Sequence, residues 1–423
     1  MKAIGDPRQK ALSKYIPETT LTPVTESEWD FAGSDTQYAT HGMHTWLAAM
    51  IPALAGQLID ITHAKRVLDP FCGGGAVLVE SALRGIPAVG VDINPLAKII
   101  SSAKTTPIDS DILVDYLRKI LSDVKDFKGP NMTFSRIYMI HYWYKPYMIT
   151  PLSALNKAIK KIEDHKVRTF FECVFSATAR DVSLTHRNEI RLRRLEPDKL
   201  ERFNPDVMKR FVQRARNSIR RIKELPENTN VKVFNGSVLN LPFENDSFTT
   251  IVCSPPYGDE RNGVPYFQSA KNMLFWLGYS HAEVLSLKSQ TLGWVGKRND
   301  LKPPPSTSLK KSLRNVVKNN RTYLEALAFY SDYFSALKEM TRVVSDKIVI
   351  VIGQRVLLNT VFDNAQITTD LMQNMGVKLV NHFMRKLPSK RLPKLRESGG
   401  TIDKEHILIY DLSGKQDQAM MDG

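Results

Sequence analysis

The chain has 423 residues, of which 42% are hydrophobic and 24% charged, the balance of a folded globular protein with core enough for more than one domain. Its 59 lysines and arginines against 44 aspartates and glutamates leave a net charge of +15, which favours a polyanionic partner over a neutral small molecule. The three scattered cysteines, Cys72, Cys173 and Cys253, exclude a disulfide framework, and no apolar run approaches the ~18 residues of a membrane span.

In chain order, residues 1–40 are polar and interrupted by Pro7, Pro17 and Pro23, an irregular arm. Its first residues are charged and lack an apolar core, so no secretory leader is expected and the setting is cytoplasmic. In residues 41–59 the apolar positions Leu47, Met50, Ile51, Leu54 and Leu58 fit one helical face. His41 and His44 lie there without further ligand-type residues arranged around them, and no metal site is expected.

The next unit is a short strand ending on Asp69, then Pro70-Phe71-Cys72-Gly73-Gly74-Gly75, then an amphipathic helix closed by Gly85. Glycines at such a turn let the backbone fold tightly and approach a ligand, and the helix behind them offers unpaired N–H groups. A second apolar strand follows and ends at Asp92-Ile93-Asn94-Pro95. A carboxylate at that place can accept both hydroxyls of a ribose, so strand, turn, helix, strand and acid together form an adenosine-binding half-fold of α/β type.

Between residues 101 and 230 no comparable unit recurs. Helices are predicted over 112–124, 151–162 and 167–179, with Tyr138, Tyr142, Trp143, Tyr144 and Tyr147 between the first two. Residues 180–223 carry 14 basic and 6 acidic side chains, and a helix over 207–225 presents arginine and lysine outward. Such an imbalance points to phosphates.

Residues 248–253 form a short buried strand that stops at Ser254-Pro255-Pro256-Tyr257. Two prolines cannot continue a ladder, and Pro255 keeps Ser254 extended. A hydroxyl, a proline carbonyl and an aromatic ring are thereby fixed at a carboxyl strand end, where open α/β sheets bind ligands. Two acceptors beside a stacking ring suit a planar base with an exocyclic amine.

Beyond it, residues 296–321 hold eight basic residues against Asp300 and include Pro303-Pro304-Pro305, a loop by composition. A third basic cluster spans 385–396. Residues 323–343 are amphipathic, 347–352 a buried strand, 360–375 a helix, and 377–383 and 406–412 read as strands whose pairing the pattern alone does not place.

Asp69-Pro-Phe-Cys-Gly-Gly-Gly75 resembles the first motif of S-adenosylmethionine-dependent methyltransferases that act on exocyclic amines of bases, and Ser254-Pro-Pro-Tyr257 resembles their catalytic motif. The serine form is similar to the cytosine-N4 branch, where adenine-N6 enzymes carry Asp or Asn. The resemblance covers about residues 40–105 and 230–410. It implies a Rossmann-like class I methyltransferase fold, a mostly parallel sheet with a C-terminal antiparallel hairpin, plus a helical, basic insertion. Domain bounds follow as an arm (1–40), a cofactor half (41–110), the insertion as target-recognition region (111–229) and a catalytic half (230–415).

It further implies S-adenosyl-L-methionine held by His44, Asp69, Phe71, Cys72, Gly73, Gly75, Asp92, Ile93, Ser237 and Val238, with Ser254, Pro255, Pro256 and Tyr257 catalytic. Tyr266 and Phe267 stand as further walls for the base. Double-stranded DNA is the implied substrate, with room for a cognate restriction endonuclease. One departure is Asn235-Gly236-Ser237, where the family often places Gly-Asp to meet the cofactor adenine. Adenine-N6 methylation, RNA base-amine methylation and a catalytically inactive nucleic-acid-binding protein are the alternatives the residues leave open.

Overall fold

The computed structural model describes residues 24–25, 29–128, 139–186, 193–258, 266–296, 298, 301–387 and 404–413, with 24–25 and 266–269 described by backbone alone. The arm before residue 24, Tyr138, Arg187, Asn188, Arg191, the side chains of Tyr266 and Phe267, and the basic cluster after residue 387 lie outside these residues.

Among the described residues, eight strands form one sheet: β1 (Val24–Thr25), β2 (Val67–Asp69), β3 (Ala88–Asp92), β4 (Val231–Asn235), β5 (Phe248–Cys253), β6 (Val344–Gly353), β9 (Lys378–Lys386) and β10 (Lys404–Asp411). Strands β7 (Arg355–Leu357) and β8 (Thr360–Phe362) pair separately. The order is β1-β9-β10-β6-β5-β2-β3-β4. Strands β4, β3, β2, β5 and β6 run parallel, while β10 is antiparallel to both β6 and β9. The expected sheet is therefore present, with its antiparallel C-terminal pair.

The central strands are β-branched runs buried on both faces, as a covered parallel sheet requires. Alternate residues serve opposite layers. Val252, Val349 and Val351 pack with Leu54 and Leu58 of the helix Pro52–Ile61. Ile251, Ile348 and Ile350 pack under the helices Thr307–Val316, Asn320–Val343 and Asn364–Asn374. The helices Pro146–Lys160, His165–Val182 and Val207–Ile222 share a further core with Leu96 and Ile100 of the helix Pro95–Thr105 and with Phe275 and Trp276 of the helix Tyr266–Leu277. Trp276 is fully buried against Tyr144, and its carbonyl accepts from Asn156 Nδ2 at 2.6 Å.

Three local expectations are corrected. Residues 41–59 are not one helix: a 3-10 turn covers Ala39–Met43, and the helix starts only at Pro52, whose fixed φ suits a first helical position. Residues 360–375 open with β8 before the helix. The basic loop 296–321 contains the helix Thr307–Val316, whose N-terminus is capped by Ser306 accepting from Leu309 N–H.

Candidate active site

In chain order β2, β3 and β4 are laid down to one side of β2, and β5 and β6 to the other. The order reverses between β2 and β5, so a crevice opens at their carboxyl ends. A cavity of about 150 Å³ lies there. Asp69, Phe71, Cys72, Gly73, Asp92, Ile93, Ser237, Val238, Ser254 and Pro256 all line it, although they come from four separate stretches of chain.

The glycine turn is held from both sides. Ser101 Oγ donates to the Gly73 carbonyl at 2.8 Å and the buried Lys104 ammonium to that of Gly74 at 3.1 Å. Gly73 takes φ +44°, and a Cβ there would stand 2.5 Å from Trp46 Nε1, so only glycine fits both the conformation and the contact. The Asp92 carboxylate accepts from Gly73 N–H at 2.9 Å and from Asn94 N–H at 2.8 Å, which ties the end of β3 to the turn after β2. Asn235 Nδ2 donates to the Asp92 and Ile93 carbonyls, so in place of the family's Gly-Asp an amide braces the cavity while Ser237 lines it.

Two carboxylates face this space, Asp69 buried and Asp92 partly exposed. Burial pushes Asp69 up to about 8, the nearby Asp92 adding to the rise and the Phe71 N–H opposing it. Burial likewise raises Asp92 to about 6 against the pull of its two backbone donors. A pair of acids so raised is poised for a cationic ligand, which would offset the desolvation that holds their protons. The sulfonium and ammonium of S-adenosylmethionine would meet that requirement, and Phe71, Ile93 and Val238 give the cavity apolar surface.

The remaining expected residues, His44, Gly75, Pro255 and Tyr257, do not line the cavity. His44 is directed into the helical layer, Nδ1 donating to the Thr45 carbonyl at 2.7 Å and Nε2 accepting from Ser176 Oγ at 3.1 Å. Burial drives its pKa well down. Gly75 caps the helix Ala76–Leu83 with φ +79°. Pro255 is buried behind Ser254. Tyr257 is half-buried, its hydroxyl donating to Glu405 Oε1 at 2.8 Å. Cys253 is fully buried with its thiol pKa raised by burial, which agrees with a core role and not a nucleophilic one.

Residues 41–59, which resemble the segment that helps the family hold the methionine end, supply Trp46, Ala48, Ala49 and Met50 to the cavity wall, and Leu287, Gln290, Thr291 and Leu292, which carry no sequence signal, complete it.

The basic stretch also resolves into two roles. Arg214 makes a bidentate pair with Asp181 at 2.7 and 2.9 Å, and Arg221 donates to the Gln37 and Ala39 carbonyls. These arginines hold helices together. Lys209, Arg216, Arg220 and Lys223 are exposed, as are Lys310, Lys311, Arg314 and Lys318 on the helix Thr307–Val316 and just beyond it. Among the described residues no group of three or more His, Cys, Asp or Glu side chains could hold a metal ion, and no helix is long and apolar enough to cross a membrane.

No family model matches the chain. Over 399 residues it is 31% identical to the Type II methyltransferase M.MvaI of Kocuria varians, spanning 86% of this chain and 87% of that protein. A stretch of 49 residues, 11% of the chain, is 43% identical to the tRNA (guanine(10)-N2)-dimethyltransferase of Methanothermobacter thermautotrophicus and covers 15% of it. Among solved structures, the rRNA methyltransferase aviRa of Streptomyces viridochromogenes aligns over 87% of this chain and 88% of its own, at 10% identity and a TM-score of 0.31.

Proposed function

This chain belongs to the Type II methyltransferases and uses S-adenosylmethionine as methyl donor, and from that premise we propose that it methylates the N4 amine of cytosine at specific sites in double-stranded DNA. Its setting is a restriction–modification pair, the partner being an endonuclease of the same specificity. The observation that carries the reading is the single cavity in which the glycine turn, Asp92 and Ser254 meet.

Asp92 takes the ribose hydroxyls, while Phe71, Ile93, Ser237 and Val238 surround the adenine. Asp69 sets a negative charge beside the cationic end. The cofactor supplies an electrophilic methyl group on sulfur. The cytosine amine is a weak nucleophile because its lone pair is delocalised into the ring. Ser254 Oγ and the Pro255 carbonyl accept its two N–H bonds, which favours a pyramidal nitrogen with the lone pair turned toward the methyl. Catalysis is then orientation and electrostatics. A base inside a duplex cannot reach such a site, so the target is flipped out, with the Tyr257 ring against it. Serine in place of Asp or Asn is what favours cytosine over adenine.

A second reading, methylation of an RNA base amine, is favoured by the short stretch similar to a tRNA methyltransferase. Incubation with labelled S-adenosylmethionine and either duplex DNA or RNA separates the two. Label in DNA supports the proposal, and label in RNA alone rejects it.

The raised carboxylates make cofactor binding pH-dependent. The ligand's cations favour ionised Asp69 and its ribose hydroxyls ionised Asp92, so affinity should rise as pH climbs from about 6 to about 8, where Asp92 and Asp69 lose their protons, and fall on acidification. At pH 7, calorimetry in buffers of different ionisation heat should register net proton release. Asp69→Asn should abolish most of it; a heat that does not vary with the buffer would remove Asp69 from this role.

DNA affinity should fall steeply with salt. Changing Arg216, Arg220 and Lys223 together to alanine should flatten the log–log slope by up to ~3, about one unit for each phosphate no longer neutralised. Arg214→Ala should instead lower stability, since it breaks the pair with Asp181. An unaltered slope in the triple variant would assign those side chains to solubility alone.

A further inference from the structure

Tyr257 is held at both ends. Its carbonyl accepts from Asn364 Nδ2 at 3.2 Å, and the same amide donates to the Gly353 carbonyl at 2.9 Å. Its hydroxyl donates to Glu405 Oε1, and Glu405 Oε2 faces Arg385 Nη1 at 3.4 Å. Gly353, Glu405 and Arg385 are direct cross-strand partners on β6, β10 and β9, a row across the sheet beyond Ile350, the partner of Cys253 at the end of β5. The antiparallel C-terminal pair thus reaches the catalytic motif through two side chains.

Stability alone is a poor reason for this arrangement. The Arg385 side chain is 2% exposed, and its Nε and Nη2 have no hydrogen-bond partner among the described residues. Burying a guanidinium against one loosely spaced carboxylate costs more than an apolar pair of similar volume. What the pair does provide is a carboxylate with one oxygen facing a fixed cation and the other free to accept the phenol. The ring can then rotate neither toward solvent nor into the core.

We infer that Glu405, fixed by the buried Arg385, is a positioning residue that aims the Tyr257 ring at the reacting base. The inference rests on the reading that Tyr257 stacks on that base. Asn364 fixes the backbone of Tyr257, and Glu405 fixes its ring.

A double-mutant cycle tests it with Tyr257→Phe, Glu405→Gln and the double variant. Each is followed by single-turnover methylation, by KM for DNA and by calorimetric cofactor affinity. Tyr257→Phe keeps the ring and its packing. Each single change is expected to slow methyl transfer about tenfold, the double to be no slower than the slower single, and cofactor affinity to stay within about twofold. Should Glu405→Gln not fold, Arg385→Lys takes its place and should slow the step several-fold on its own while adding nothing to Tyr257→Phe. A Tyr257→Phe enzyme at the wild-type rate, or losses that multiply in the double variant, overturns the tether. A wild-type enzyme that leaves duplex DNA unmethylated contradicts the proposed substrate instead. The same cycle is then run on the RNA that it does methylate, where coupling or its absence decides the tether.

Discussion

Replacing Ser254 by alanine is expected to slow methyl transfer by roughly 10²–10³-fold, about 2.7–4 kcal/mol of lost transition-state stabilisation, with cofactor affinity nearly unchanged. The loss falls on the chemical step because the proposed role of Ser254 Oγ is to accept from the reacting nitrogen. Strand β5 and both prolines, which set the backbone, stay in place. Ser254→Asp should retain part of the activity, because a carboxylate can accept the same bond. Single-turnover methylation beside calorimetry separates the two effects. A Ser254→Ala enzyme as fast as wild type would show that orientation of the amine lies elsewhere.

The second large effect is on the cofactor. Asp92→Ala should weaken S-adenosylmethionine binding by about 1.5–3 kcal/mol, since the proposed acceptor for two ribose hydroxyls is removed from the cavity wall. Part of that cost is indirect, because the same carboxylate ties Gly73 and Asn94 together. Asp92→Asn keeps the volume and one acceptor oxygen, and should lose less. Calorimetric affinity in folded variants is the check, and an unchanged value for Asp92→Ala would take Asp92 out of the site.

How much of this was legible beforehand depends on how local the information was. The glycine turn, Asp92 and Ser254–Tyr257 are contiguous, and each combines a strand end with residue types of narrow use. The cavity brings most of them together. The buried β-branched runs of β5 and β6 likewise announce a covered sheet. What stayed hidden depends on distant segments. Trp46 lies in a stretch whose helical spacing continues across Pro52, while the chain itself restarts there. Leu287 to Leu292 reach the cavity from the last turn of the helix His281–Ser289 and the residues after it, with no motif of their own. Glu405 and Arg385 meet Tyr257 only because β10 inserts between β6 and β9, a pairing no local pattern encodes. The arginine-rich stretch was overread for a related reason. A count of charges does not reveal that Asp181 takes up Arg214 or that Arg221 binds the carbonyls of Gln37 and Ala39.

The most direct measurement is the identity of the methylated nucleoside. Duplex DNA carrying many sequence contexts is incubated with the enzyme and S-adenosylmethionine, digested, and resolved for N4-methylcytosine, N6-methyladenine and 5-methylcytosine. N4-methylcytosine, lost in Ser254→Ala, is the result expected of a serine hydroxyl and a proline carbonyl holding a cytosine amine. 5-Methylcytosine would contradict the account outright, because carbon methylation requires a nucleophile that the buried Cys253 is not placed to provide.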